Sequence, residues 1–129
     1  MSYLFLAGRL LFGGFFVVSG LRHFIQLSAY AAYAASKRIP APRLGVLGSG
    51  LLAVLGGLSV ALGAWPRYGV VLLVVFLVPV SLMMHNYWAD ADPQSRQSNQ
   101  VHFMKNLALM GAALMLLAIP EPWEWGLFP

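Results

Sequence analysis

The chain has 129 residues, of which 60% are hydrophobic and 9% are Asp, Glu, Lys or Arg, and its mean hydropathy is +0.74. A water-soluble domain carries roughly a quarter charged residues, so this composition excludes an ordinary soluble domain and indicates a membrane protein. We assign the formal net charge of +4 to basic residues beside membrane spans and predict no nucleic-acid partner, while the lack of cysteine excludes disulfides and thiolate metal sites.

Four apolar stretches follow one another along the chain, with short polar connections between them. Each is close to the roughly 20 residues that an α-helix needs to cross a bilayer. The predicted helices cover about 4–21, 44–65, 68–88 and 102–119. The sequence therefore predicts an all-α, integral membrane four-helix bundle, which forms a single transmembrane domain over 1–129.

The first span contains one charged residue near its start, Arg9, about five residues inside the apolar stretch. A charge within a bilayer is costly and usually faces protein or water. Two interpretations of Arg9 stay open. It either snorkels and fixes the depth of helix 1, or it faces inward and binds an anionic group or a partner subunit. Gly13 and Gly20 share its side of the helix and predict a close helix contact.

The connection between spans 1 and 2 is rich in alanine and tyrosine over Leu27–Ser36 and is closed by Pro40 and Pro42. This pattern predicts a short helix at the membrane interface, between helices 1 and 2. A stripe of small residues then follows one face of span 2. Its members are Ser49, Ala53, Gly57 and Ala61. We expect this face to pack within the monomer, with the seam of a homo-oligomer as the alternative.

The third span contains Pro79, which removes a backbone hydrogen bond and predicts a kink. We expect the nearby Ser81 hydroxyl to satisfy a carbonyl that the proline frees. The hydrophilic stretch 89–100 predicts a solvated linker before span 4. Span 4 has its own predicted contact face of small residues. These are Ala108, Gly111 and Ala112.

Basic residues are distributed unevenly between the two ends of the predicted bundle. Six of the eight fall in or beside the 1–2 and 3–4 connections. They are Arg22, Lys37, Arg38, Arg43, Arg96 and Lys105. Only Arg9 and Arg67 fall on the side of the chain termini. By the positive-inside rule, the sequence predicts cytoplasmic 1–2 and 3–4 connections and places both termini outside, in the periplasm of a bacterium.

The three histidines fall at one end of the predicted bundle, where His23 ends span 1, His85 ends span 3 and His102 begins span 4. Helical spacing puts Trp88 on the side of His85, and groups His102 with two polar residues of span 4. If spans 3 and 4 are neighbours, these faces meet in a shallow pocket. Histidine there can move protons or hydrogen-bond a quinone carbonyl.

The candidate ligand-binding residues are His85, Trp88, His102, Lys105 and Asn106, with Arg9 as a second candidate. The alternative is that these side chains only anchor and cap helix ends at the headgroup level. We predict no metal site, because no carboxylate or cysteine completes one.

Several short runs together carry a family resemblance. They are His85-Asn86-Tyr87-Trp88, a short acidic loop followed by Phe103-Met104-Lys105-Asn106-Leu107-Ala108-Leu109-Met110-Gly111, Gly8-Arg9-Leu10 with Phe15 and Gly20, and Gly56-Gly57 with Gly63. In these features the chain resembles the DoxX family over nearly its whole length. Relatives often carry a glutamate shortly before the glycine pair of helix 2, where this chain has Ala53.

The resemblance implies a four-helix protein of the bacterial inner membrane. Relatives include the small subunit of thiosulfate:quinone oxidoreductase and membrane partners in complexes that handle thiol and superoxide stress. We therefore predict a quinone-associated subunit of a membrane oxidoreductase complex, with quinone as a non-covalent cofactor and other oxidoreductase subunits, soluble or membrane-bound, as partners. The alternatives are a non-enzymatic membrane anchor for soluble partners and a carrier of a small lipophilic or anionic solute. Whether the chain is itself an enzyme stays open, since it has no self-contained catalytic motif.

Overall fold

The computed structural model describes residues 2–128, and their regular structure is helical, with an isolated β-bridge between Ala64 and Phe128. The helices are α1 (Ser2–Ile25), α2 (Leu27–Ser36), α3 (Pro42–Leu62), α4 (Pro66–Pro79) and α5 (Pro93–Leu116). A π-helical segment, Val80–Met84, and a 3₁₀ turn, Tyr87–Ala89, follow α4. Helix α2 has the range that its composition predicted.

Three helical stretches are long and apolar enough to cross a membrane: Tyr3–Ile25, Pro42–Leu62 and Pro66–Ala89. The fourth predicted span, α5, is not among these stretches, and its first half is rich in polar residues. The described chain is thus an all-helical membrane protein.

The start of α5 corrects a prediction. The stretch 89–100 was expected to be a solvated linker, yet α5 begins at Pro93 rather than at 102, and it ends at Leu116 rather than at 119. The Asp92 side chain accepts a hydrogen bond of 2.9 Å from the Ser95 N–H, and Pro93 occupies the first turn. An N-cap aspartate followed by proline is a strong helix start, which the hydrophilic composition concealed.

Glycines allow α1 and α3 to pack with their backbones in contact. A Cβ atom on Gly20 would lie 2.6 Å from the Gly50 carbonyl oxygen, and one on Gly57 would lie 2.6 Å from the Gly13 carbonyl oxygen. Without a hydrophobic drive in lipid, such close approach is what stabilises helix pairs. The small-residue faces predicted on spans 1 and 2 therefore make contacts within the monomer, and they meet each other.

The small residues of α5 behave differently. Ala108 and Gly111 are exposed, and a Cβ atom on Gly111 would meet nothing within 4 Å. Ala113 is instead fully buried. The predicted contact face on α5 is therefore wrong within this chain, because α5 turns a different side toward its neighbour α4.

The long helices pack in the order α1, α3, α4, α5, and α2 lies against α3. Over the part of the chain that the structure describes, α1 and α5 have no comparable close backbone approach to each other. The helices therefore form an arc around a core that includes Phe16, Leu73, Leu77 and Ala113. The open side of the arc lies between α1 and α5.

Pro79 marks the point where α4 changes into a π-helix. The His85 N–H donates to the Val80 carbonyl, five residues back, at 3.3 Å. Proline lacks an N–H and crowds the carbonyl four residues earlier, so a wider turn relieves the helix at this position. The helix distortion predicted at Pro79 is therefore observed as a π-helical segment. The role expected of Ser81 is wrong, because its hydroxyl is buried without a hydrogen-bond partner.

Candidate functional site

A cavity of about 780 Å³ occupies one end of the arc, between the second half of α1, helix α2, the first half of α3, the end of α4 and α5. Much of its wall is aliphatic or aromatic, with Phe15, Phe16, Phe76 and Leu77 among the lining residues. Its ionisable lining groups are Arg22, His23, Tyr30, Tyr33, His85, His102 and Lys105. Among the described residues, no carboxylate lines it. The cavity is therefore apolar with a basic, hydrogen-bonding part.

The structure brings four of the five predicted site residues to this cavity: His85, His102, Lys105 and Asn106. The imidazole rings of His85 and His102 stack with centroids 4.9 Å apart and planes inclined by 28°. The Asn106 side chain is buried. Lys105 reaches across the open side of the arc, and its Nζ lies 5.1 Å from the centre of the Phe15 ring on α1, which is a cation–π contact.

Trp88, the fifth predicted residue, does not line the cavity. It is 54% exposed, and its ring meets those of Tyr87 and Phe103 at centroid distances of 5.3 and 5.4 Å. The prediction assumed an unbroken α-helix to residue 88. The helix ends at Met84, so the spacing that would align Trp88 with His85 does not apply.

A hydrogen-bond network behind His85 was not predicted from the sequence. The His85 Nδ1 atom lies 3.1 Å from Asn99 Oδ1, and Asn99 Nδ2 donates to Asp90 at 2.7 Å. Lys37 Nζ pairs with the other Asp90 oxygen at 2.9 Å and also donates to Asn86 at 2.8 Å. The hydrogen bond from Asn99, and then that from Lys37, hold the pKa of Asp90 below its ordinary value.

The network also ties α2 to the π-helical segment. The Tyr33 hydroxyl donates to the Met84 carbonyl at 3.0 Å and accepts from Asn99 Nδ2 at 3.1 Å. A second, more polar pocket of about 970 Å³ lies on the far side, and Tyr33, His85 and His102 line both. These three residues form the partition between the apolar cavity and the polar pocket.

The second predicted site, Arg9, lies outside this cavity and is only 2% exposed. Its Nη1 and Nη2 atoms donate to the carbonyls of Glu124 and Trp125 at 2.8 and 2.9 Å. The guanidinium also faces the rings of Phe5 and Trp123, at 5.8 and 6.0 Å from their centres. Arg9 faces inward and holds the C-terminal segment of the same chain against α1.

A family model described as DoxX matches residues 4–86, which is well over half of the chain. The chain belongs to the DoxX family. The DoxX match includes His85 and Asn86 but ends before α5, which supplies Asn99, His102 and Lys105. The chain is also similar to the inner membrane protein YphA of Escherichia coli (strain K12). The two are 28% identical over 107 residues, which cover 83% of this chain and 75% of YphA. No solved structure matches.

Proposed function

We propose that this DoxX-family membrane protein is a quinone-associated subunit of a membrane oxidoreductase complex. The observation that supports this best is the cavity, which combines an apolar wall with an imidazole pair, an amine and an amide. Its volume of about 780 Å³ falls within the roughly 300–1,000 Å³ typical of ligand sites. A quinone offers an apolar ring and chain with polar oxygens at the ring. When bound, it would supply electron and proton transfer that the side chains alone cannot.

His85, His102 and Lys105 are the residues that would hold the head group. Each can hydrogen-bond an oxygen of the head group in its quinone or hydroquinone form, and all three line the cavity. The aromatic and aliphatic side chains of α1 and α4 would contact the apolar remainder. Asn106, buried beside them, would add an amide donor or acceptor.

The open side of the arc supports entry of such a ligand from the bilayer. Phe15 and Val18 on α1 line the cavity and are 40% and 52% exposed, and Lys105 faces them from α5. A lipophilic ligand dissolved in the membrane would therefore pass between α1 and α5 without crossing water.

We place the protein in a bacterial inner membrane, the location that the name of YphA gives for that protein. In our proposal α1, α3, α4 and α5 cross as a four-helix bundle, while the short α2 lies at the interface. The apolar second half of α5 and its packing on α4 support a fourth span. The basic residues favour cytoplasmic 1–2 and 3–4 connections with both termini in the periplasm.

Quinone binding to the purified protein in lipid nanodiscs tests the function, with tryptophan fluorescence quenching as the readout. The double variant His85→Ala/His102→Ala should bind the reduced, hydroxyl-bearing form of a ubiquinone analogue about tenfold more weakly, because it loses two hydrogen-bonding groups worth ~0.5–1.5 kcal/mol each. The matched control is Gln97→Ala/Gln100→Ala, two exposed residues of α5. Equal affinity of the histidine variant and the control would remove the proposed site.

A non-enzymatic anchor for soluble partners is the second candidate. The polar first turns of α5 favour it, because every residue from 93 to 98 is exposed. This helix would present a rigid polar surface next to the membrane. Recovery of co-purified soluble proteins should then fall when Gln94 and Gln97 are exchanged for lysine. Unchanged recovery would count against this surface as the docking site.

A further inference from the structure

The hydrogen bonds that join His85, Asn99 and Asp90 have only one consistent direction. The Asp90 carboxylate can only accept hydrogen bonds, so the Asn99 atom 2.7 Å from it must be the amide nitrogen. The amide oxygen of Asn99 therefore faces His85 Nδ1 at 3.1 Å. An amide oxygen is an acceptor only, and so the proton of a neutral His85 ring lies on Nδ1.

The remaining groups agree with this direction. The second proton of Asn99 Nδ2 goes to the Tyr33 oxygen at 3.1 Å. The Tyr33 hydroxyl donates to the Met84 carbonyl at 3.0 Å, its nearer acceptor, and Asn99 Oδ1 lies at 3.3 Å. Lys37 donates to the Asp90 oxygen that Asn99 leaves free. Turning the Asn99 amide over would place its oxygen against the carboxylate oxygen at 2.7 Å. Lys37 and Asp90 thus fix the orientation of Asn99, and Asn99 fixes the tautomer of His85.

The other nitrogen of His85, Nε2, is then a lone-pair acceptor in the neutral ring. Over the described residues Nε2 has no hydrogen-bond partner, and His85 lines the apolar cavity. A lone pair at this position accepts from a ligand hydroxyl and cannot donate to a ligand carbonyl. The Lys105 ammonium, which also lines the cavity, is a donor for the oxygen of a ligand hydroxyl.

We infer that Asn99 is a positioning residue that holds His85 in its Nδ1–H form, so that Nε2 selects a lipophilic ligand with a hydroxyl group. This inference rests on the proposed quinone function and deepens it. The hydroxyl-bearing hydroquinone form is then preferred over the quinone form. Only a hydrogen bond is involved, and no electron transfer is needed for the preference.

The tautomer can be measured without any ligand. Nitrogen-15 NMR of histidine-labelled protein in nanodiscs distinguishes Nδ1–H from Nε2–H, and loss of the signal in His85→Gln assigns it. We expect the Nδ1–H form in the native chain and its loss in Asn99→Leu. The control Gln100→Leu alters an exposed residue one position later on α5 and should leave the tautomer unchanged.

A rescue variant separates this role from a general effect on folding. In Asp90→Asn/Asn99→Asp the amide and the carboxylate exchange places. The exchanged carboxylate still accepts from His85 Nδ1, and the exchanged amide still donates to it. We expect the Nδ1–H form to return in this double variant, while Asn99→Leu lacks it although both alter the same position.

Ligand preference is then measured with a redox-inactive pair, a long-chain alkylphenol and its methyl ether, which differ only in the hydroxyl proton. The native protein should bind the phenol about 3- to 10-fold more tightly, as expected for one hydrogen bond. In Asn99→Leu the ratio should fall toward one, and in the rescue variant it should return.

The outcomes distinguish the inference from the proposed function. An Nε2–H form of His85 in the native protein, or equal affinity for the phenol and its methyl ether, overturns the inference while quinone binding still supports the function. If the ubiquinone analogue, the phenol and the ether all fail to bind, both the proposed function and the ligand preference are overturned, even if the Nδ1–H form is found.

Discussion

Replacing Arg9 with methionine removes the charged contacts that hold the C-terminal segment, while it keeps a long unbranched side chain in the same space. The guanidinium donates to the carbonyls of Glu124 and Trp125. The docked segment adds two backbone bonds, from the Leu127 N–H to Leu62 and from the Trp65 N–H to Phe128. These bonds form only while the segment lies against the helices, so they report on its docking.

The expected size of the effect follows from the two lost hydrogen bonds. A hydrogen bond to a charged group contributes ~1.5–3 kcal/mol, and the burial of a guanidinium without a carboxylate partner offsets part of the sum. We expect a net loss of about 3 kcal/mol, which is roughly a hundredfold increase in the undocked fraction. Arg9→Lys should lie in between, because a lysine has no planar fork that can reach both carbonyls.

Backbone hydrogen exchange in nanodiscs measures this opening directly. The N–H groups of Leu127 and Trp65 should exchange roughly a hundredfold faster in Arg9→Met than in the native protein. Arg67→Met is the matched control, because Arg67 is an exposed arginine beside the same segment. Native-like protection of Leu127 in Arg9→Met would refute the idea that the guanidinium holds this segment.

Two further predictions concern helix packing and pH. Gly20→Val should lower the melting temperature in detergent sharply, because its Cβ would lie 2.6 Å from a carbonyl oxygen of α3, whereas Gly14→Val places its Cβ in open space and should change little. Hydrogen bonds from Asn99 and Lys37 depress the pKa of Asp90, so this contact stabilises the fold above the unfolded value of ~3.9. That stability should be lost as the pH falls through the depressed pKa, and thermal melts of Asp90→Asn should show a flatter acid dependence; equal slopes would contradict the assignment.

The helical spans were predictable because a membrane helix satisfies its own backbone hydrogen bonds and needs only an apolar composition. Helix α2, and the contact faces that contain Gly13 on α1 and Gly57 on α3, followed from local patterns as well. Helical spacing within α5 was also enough to group His102 with Lys105 and Asn106 on one side. These features depend on residues that are near one another in sequence, or on the lipid environment, in which few backbone structures satisfy all their hydrogen bonds.

The features that the sequence did not reveal depend on three-dimensional geometry, which residue spacing alone does not determine. The helix ends at Met84, so His85 and Trp88 no longer share a helical face, although both belong to the same predicted helix. The network around Asn99 joins α2 and α5 to residues on either side of the 3₁₀ turn, and hydropathy favoured a linker where α5 begins. Asn99 lies three residues before His102, so the same helical face would have contained both had the N-cap at Asp92 been given more weight.

The π-helical segment Val80–Met84 also constrains how this part of the chain can change in length. A π-turn is equivalent to one residue inserted into an α-helix. Deleting a single residue there would let α4 continue as a regular helix, at the cost of rotating everything after it by ~100°. His85 would then leave its place beside Asn99, while the apolar character of the span would hardly alter. A substitution in this stretch preserves the register of the site, whereas a one-residue deletion leaves a membrane helix without it.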